Sequence, residues 1–593
     1  MKGMHRGWNP KSVLVLDGEW PSALAIVRSL GRKGLHVEVG SSRPDPLAAL
    51  SKFCSRNFVY PDPLVDIDGF RKTLLEQLKR YSYSLVIPVT DMAICPLMDI
   101  RGSVEALSAL AMASNESISL ALSKSRTIEM AQTLGIPIPK TLIIRNIAEL
   151  HSGEHGLTYP VVIKPDRSKT WMSDGRGLDL SVKYAFNAKD LSEKVSMLPQ
   201  QYPVVLQEYV YGEGVGIGVL ARKGGIAFSF QYRRLHEVPL TGGPSSYRIS
   251  EPVDPRIASF ASSLLKSLCW DGVAMIEFKR NRESGKLHLM EINGRFWGSL
   301  PLAVAAGADF PFYLVELLLH NRCDFPTEYK VGFRCRQLSR EFQWLKAAIF
   351  RKREANPIIR FPSYRSILFD ALRLINPAER SDTLDLWDPR PGIADLVQTA
   401  RTITALAWDR VLYLQEKYKM LGIHKNPKNL VKMLRRSNAI LILCSGNFIR
   451  SPFAAQFLSH MVLGKSSVSV HSSGLEARSG RQAHPMAVSK AKSLGFDLSA
   501  HFSVPITPKM VAEADIILVM EIRHLLLLRK RFTGVRRKTY LLGCLGLEDP
   551  LEVADPDSQN EAAFEVCFNQ ITKALEPLVR ILSWNELESR GKA

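Results

Sequence analysis

The stretch AILILCSGNFIRSP, residues 439–452, decides the fold of the last quarter of the chain. Ala439 to Leu443 form an unbroken apolar run of the kind carried by a strand buried on both faces. Beyond Pro452, Ala454–His460 reads as helix. The chain must turn between the two, and Gly446 and Asn447 are residue types that tolerate the left-handed backbone of a tight loop. Successive loop N–H groups and a helix N-terminus then converge on one point, a nest for an anion. Arg450 can hold two oxygens of that anion in a bidentate fork. Cys444 stands at the mouth of the nest, where the positive field favours a nucleophilic thiolate, and Ser451 can donate a hydrogen bond to its sulfur.

Working outward, Ser472-Ser473-Gly474 follows an apolar run, and His484-Pro485, Gly495-Phe496-Asp497-Leu498 and Ala514–Glu521 come next in order. Asp555-Pro556 precedes a helix expected over Glu561–Arg580. In this set, Asn438–Leu582 closely resembles the low-molecular-weight protein tyrosine phosphatases. The resemblance implies that Cys444 attacks phosphorus, that Arg450 and the loop residues Ser445, Gly446, Asn447, Phe448, Ile449 and Ser451 hold the phosphoryl group, and that Asp555 is general acid and then base. Asp549-Pro550 is the competing acid, but Val553-Ala554 gives Asp555 the apolar flank that keeps a carboxyl protonated. Ile449 stands where members often have a second loop cysteine, Asp557 where Tyr or Phe is common, and Ser445 at an apolar wall position. An aromatic phosphoester would stack less in such a mouth. Phe448 stands where the arginine-phosphatase branch has Thr, and Ile516–Leu528 lacks the cysteines of arsenate reductases.

At the other end of the chain, VVIKP (161–165) puts Lys164 at a strand end, with Ser173–Gly177 as a flexible glycine loop downstream. LQEYVYGEG (206–214) reads as strand and turn, and MIEF (275–278) and LMEINGR (289–295) as strands. Glu291 and Asn293, two apart, share a strand face. With Glu277 they make a set of hard oxygen donors suited to Mg²⁺ held jointly with a triphosphate. This ordered set resembles the ATP-grasp superfamily, its carboxylate–amine ligases and carbamoyl-phosphate-synthase-like members, over residues 10–325. The resemblance implies ATP and Mg²⁺ as cofactors. Lys124 and Lys164 would contact phosphates, Glu208 and Val210 adenine, and Glu213 ribose. Glu277, Glu291 and Asn293 would hold the metal, and Arg295 would steady an acyl phosphate. Arg233–Ser246, with its Gly-Gly turn, is taken as a substrate loop.

At 593 residues the chain is too long for one core. The expected architecture is α/β and multidomain. A parallel-sheet pre-grasp domain (10–115) follows the βαβ logic of Ser12–Asp17, a helix ended by Gly34, and His36–Gly40. An ATP-grasp domain (116–325), a basic helical connector (326–437) and an α/β phosphatase with a parallel sheet (438–593) complete it. Eight cysteines without a CxxC pair argue against a disulfide framework or a zinc site. No long apolar run and no signal-peptide pattern stand out, so the expected location is cytoplasmic. The net charge is +20, and residues 331–440 alone hold 21 Lys and Arg against 10 Asp and Glu. No nucleic-acid-binding pattern accompanies that excess, so nucleic acid is not an expected partner. The basic connector is instead a candidate for peripheral membrane contact, though a solvated linker is the blander reading. The function expected is bifunctional: a ligase-like unit using small carboxylate and amine substrates, and a phosphatase acting on a phosphorylated protein or small phosphoester. The alternatives are a phosphatase with a nucleotide-sensing module, and a non-catalytic scaffold.

Overall fold

The computed structural model describes residues 12–583 apart from 147–148, 150–155, 172–176, 197, 199–202, 351–357, 377, 465 and 558–560. The glycine loop expected at Ser173–Gly177 lies outside the described residues except for Gly177. The chain divides into two compact units, Met1–Ala400 and Arg401–Ala593, and no described helix is long and apolar enough to cross a membrane.

The first unit opens on a parallel sheet ordered Cys54–Val59, His36–Ser41, Ser12–Val15, Leu85–Ile87 and Ala109–Leu110. Ser12–Val15 is central and buried at every position, as its apolar run requires. Helix Pro21–Arg32 buries Ala23, Ile26, Val27 and Leu30 against the sheet, the residues spaced three and four apart in sequence. Gly34, at φ 81°, takes the left-handed turn that ends the helix.

Two antiparallel sheets follow. Lys183–Ala185, Val161–Pro165, Val204–Glu208 and Thr141–Ile144 form the smaller. The larger runs Leu287–Asn293, Gly272–Asn281, Gly212–Arg222, Gly225–Glu237, Ser245–Glu251, Arg334–Arg336 and Arg380–Ser381. In it, Glu277 is paired in register with Glu291, and Met275 with Asn293, so both carboxylates leave the sheet on one face.

The last two strands of that sheet come from the segment read as a helical connector. Its helices are present, at Leu338–Phe350, Tyr364–Leu372 and Pro389–Lys425. Arg334–Arg336 and Arg380–Ser381 nevertheless extend the sheet by edge pairing, too short to show a period in sequence. The boundary between the two compact units falls inside helix Pro389–Lys425.

The second unit is a parallel sheet ordered Ser469–Gly474, Ala439–Cys444, Ile516–Val519 and Thr539–Leu541. Ala439–Cys444 is an inner strand, and Cys444 sits at its carboxyl end, where open α/β sheets place their ligands. Helices Arg450–Val462 and Glu561–Ser583 pack together through Phe453 and Phe568, both wholly buried, with ring centroids 4.2 Å apart.

Candidate active sites

The loop after Ala439–Cys444 curls around the cysteine sulfur. The Asn447 N–H donates to Cys444 Sγ at 3.2 Å, and Ser451 Oγ lies 3.0 Å from the same sulfur. Asn447 takes the left-handed conformation, φ 54°, and is fully buried. Its amide nitrogen donates to Ser451 Oγ and Ser472 Oγ, each at 3.0 Å; its amide oxygen accepts from the Val504 N–H at 2.8 Å. Gly446 is favoured sterically: a Cβ there would stand 2.3 Å from the Phe448 ring, over which the Arg481 guanidinium lies 3.5 Å from the centroid. Ile449 is buried at the helix entrance. The end of strand Ser469–Gly474, not the turn its Ser-Ser-Gly suggests, closes the far side, where a Cβ on Gly474 would meet Ser445 O at 2.7 Å.

Arg450 heads the following helix and is almost wholly buried. One end of its fork donates to Glu521 and, at 3.0 Å, to Val553 O; the other donates to the Asp555 carboxylate. Burial works against the Arg450 charge, but Cys444, Asp555 and Glu521 hold it above the ordinary arginine range. Asp555 also lies 3.7 Å from Arg523 and accepts from the Asp557 N–H at 3.2 Å. Asp549 points elsewhere, to Lys417 at 3.4 Å. Ser445 Oγ is 3.0 Å from Nε2 of His524, whose ring is fully buried. Burial, with Arg450 and Arg523 adding to it, pushes His524 down to about 3, so the ring is neutral.

In the first unit a cavity of about 350 Å³ is lined from both antiparallel sheets. Lys164, Glu208, Val210, Glu277, Glu291, Asn293 and Arg295 all reach it, as do Thr241–Pro244 from the turn of the Arg233–Ser246 hairpin. Burial pushes Lys164 down to about 8 against the pull of Glu291 and Glu277. Burial opposes charge at Glu291 too, but Lys124, Asn293 and Lys164 outweigh it and hold that carboxyl below its ordinary range. Asn293 Nδ2 donates to Glu291 Oε1 at 3.0 Å, leaving the Asn293 oxygen for another partner. Burial raises Glu277, although Arg234 grips both of its oxygens, one of them at 2.7 Å. Arg295 is held by Asp91, with Nε 2.8 Å from Oδ1.

Two expected nucleotide contacts stand apart. Lys124 donates to Ser168 Oγ at 3.0 Å and reaches the cavity only through its field on Lys164 and Glu291. Glu213 ion-pairs with Arg233, Arg280 and Arg282 and lines an adjoining cavity of about 830 Å³ instead. Among the described residues no cluster of three or more His, Cys, Asp or Glu side chains could hold a metal. A site here would therefore draw on two carboxylates and an amide, the set the sequence singles out.

A family model described as low molecular weight phosphotyrosine protein phosphatase matches residues 439–589. The probable low molecular weight protein-tyrosine-phosphatase AmsI of Erwinia amylovora is 33% identical over 146 residues, 25% of this chain and 98% of that protein. The chain belongs to the low molecular weight phosphotyrosine protein phosphatase family. The probable phosphatase EpsP of Ralstonia nicotianae is 34% identical over 146 residues, 24% of this chain and 97% of that protein. A second family model, described as ATP-grasp in the biosynthetic pathway with Ter operon, matches residues 200–341. The chain thus joins an ATP-grasp region to a phosphatase, and both are enzyme families. Among solved structures, N5-carboxyaminoimidazole synthetase from Staphylococcus aureus aligns with 56% of this chain and 83% of its own, at 13% identity and a TM-score of 0.43.

Three residues of this phosphatase and its ATP-grasp partner carry little mark in the sequence. Glu521 and His524 were visible only as a motif end and a helix start. Their Glu-x-x-His spacing is the usable signal, since it forms a reciprocal cap on helix Ile522–Arg531. Arg234 was visible only as part of a charged hairpin, and nothing local marks it as the partner of Glu277.

Proposed function

We propose that the chain is a bifunctional enzyme: a cysteine-dependent phosphatase working through a phosphocysteine, joined to an ATP- and Mg²⁺-dependent carboxylate–amine ligase. The observation that carries the phosphatase half is the Cys444 sulfur, met by the Asn447 N–H and the Ser451 hydroxyl, beside an Arg450 fork held between two carboxylates. Cys444 attacks phosphorus; the ester oxygen leaves with the Asp555 proton; Asp555 then takes a proton from the water that cleaves the phosphocysteine. The ligand-free pairing of Asp555 with Arg450 fits this order. An entering phosphoryl dianion takes the Arg450 fork for itself, which frees the Asp555 carboxyl to face the ester oxygen. With Ser445 and Asp557 at the mouth in place of larger walls, phosphotyrosine and smaller phosphoesters are both candidate substrates.

In the ATP-grasp half, Lys164 and the field of Lys124 meet phosphate charge, while Glu208 and Val210 stand at the adenine end. Glu291, the Asn293 oxygen and Glu277, which also accepts from Arg234, would hold Mg²⁺ as hard oxygen donors, a set sufficient for an ion that takes one or two carboxylates. When bound, the ion neutralises the triphosphate. Arg295 steadies the acyl phosphate formed when a substrate carboxylate attacks the γ-phosphate, and the Thr241–Pro244 turn covers the site. The four-part division at residues 115, 325 and 437 is proposed with this reading.

The test is to follow ADP release with panels of carboxylates and amines, and phosphate release from aryl phosphates, on the same preparation. Both are expected. ATP binding without ADP release under any pair would leave the first unit a nucleotide sensor.

A further inference from the structure

Adjoining elements of the first unit carry exposed apolar side chains and exposed cations that make no ion pair among the described residues. Helix Tyr364–Leu372 buries only Ile367. Tyr364, Leu368 and Leu372, at successive steps of four, are exposed, and Phe369 beside them is 67% exposed. Residues this far apart form one stripe along a helix. Leu374, just beyond the helix, joins a groove of about 520 Å³ with Leu386, Trp387 and Ile393. Leu386 is 93% exposed and Trp387 77%, so these tips project from the fold. Scattered single apolar residues need no explanation, but a run of them on adjoining elements does.

The charge on this face is sorted. Every described carboxylate between residues 338 and 390 is drawn inward to a partner. Glu341 and Glu379 pair with Arg336, Asp370 with His236, Asp382 with Arg248, Asp385 with Arg32, and Asp388 with Arg28. Lys346, Arg365, Arg380 and Arg390 are exposed and carry no ion pair among the described residues. The outward charge is positive and interleaved with apolar tips.

We propose that this face seats the chain on an anionic lipid surface, with Leu386, Trp387 and the Tyr364–Leu372 stripe entering the headgroup boundary and Arg365, Arg380 and Arg390 engaging anionic headgroups. Tryptophan prefers that boundary, and basic residues beside apolar ones supply the second attraction that interfacial binding needs. A nucleic acid would satisfy the cations but give the projecting Leu386 and Trp387 no partner. The inference does not depend on the activity of either site.

The test uses the full chain in co-sedimentation with phosphatidylcholine vesicles, with and without phosphatidylglycerol. Binding is expected only with phosphatidylglycerol and should fall with added salt. Leu386→Ser with Trp387→Ser should weaken binding about a hundredfold, as two lost apolar insertions imply. Arg365→Gln and Arg380→Gln should each weaken it about fivefold. All four sites are exposed, so circular dichroism and aryl phosphate hydrolysis should not change. No binding to phosphatidylglycerol vesicles overturns the proposal. So does binding that ignores the Leu386 and Trp387 changes, which would be mere adsorption of a cationic protein. A solution dimer, or a duplex DNA complex, that the same apolar changes abolish would assign the face to that partner and overturn it too.

Discussion

His524 Nε2 and Ser445 Oγ stand 3.0 Å apart, with the imidazole wholly buried. The other ring nitrogen accepts from the Glu521 N–H at 3.2 Å, so the neutral ring keeps its proton on Nε2 and donates it to Ser445. The Ser445 hydroxyl hydrogen is thereby left to point elsewhere.

That pair gives a stability signature. Unfolded, the imidazole takes up a proton as pH falls through 6.5; folded, it resists until about 3. The folded form binds fewer protons in that window, so the stability it has above 6.5 is lost progressively as pH falls toward 3. Urea unfolding of the second unit, repeated at stepped pH, should show a steeper acid loss in wild type than in His524→Asn. Equal slopes would mean that the ring protonates inside the fold.

Cys444→Ser should abolish phosphate release while leaving oxyanion binding in place. Serine's hydroxyl is not ionised usefully by the nest, yet the loop N–H groups and Arg450 remain. Calorimetric titration with phosphate or vanadate checks the binding, and appreciable residual hydrolysis would point to another nucleophile.

Asp555→Asn should slow hydrolysis of phenyl and alkyl phosphates by ~10²–10⁴, because those leaving groups need a proton. The loss should be clearly smaller with a nitrophenyl ester, whose leaving group is stable as an anion. Asp549→Asn, which removes only a contact with Lys417, should change little. The reverse pattern between the two variants would move the acid to Asp549.

Glu291→Gln should abolish ATP turnover and leave aryl phosphate hydrolysis untouched, since the two sites lie in separate compact units. Loss of both activities in a folded variant would show that the units do not work independently.

Lys164 should make nucleotide binding sensitive to mild alkali. Its ammonium loses its proton near 8 rather than 10.5, and with it the attraction for phosphate. Affinity for a non-hydrolysable ATP analogue should fall above that point, by up to about tenfold per pH unit. Lys164→Met should bind more weakly near neutrality and show a flat profile. A wild-type profile as flat as the variant's would remove Lys164 from the phosphate contacts.

The parts legible in the sequence are those that a short segment decides. Cys444, Asn447, Arg450 and Ser451 fall within eight consecutive residues of one loop and the helix start, so residue type and spacing carry them. The Glu277–Glu291 pairing was legible as two strand ends. What escaped joins distant segments: Arg450 to Glu521 across 71 positions, Ser445 to His524 across 79, and Arg234 to Glu277 across 43. No periodicity records such meetings. The two strands inside the connector escaped for a different reason. Three residues and two residues are too few to alternate, and they become strands only because a sheet edge is there to pair with.

The way Asn447 is tied down has a consequence for how the loop can diverge. Its side chain and carbonyl reach Ser451, Ser472, Val504 and His501, so the base of the nest is ordered when the unit folds, and a ligand meets a finished cradle rather than shaping one. Ordering entropy is spent before any substrate arrives. Selectivity can therefore drift at the rim, at Ser445 and Asp557, without disturbing the floor. Descendants of this loop are free to trade one phosphoester for another while the grip on the phosphoryl group stays the same.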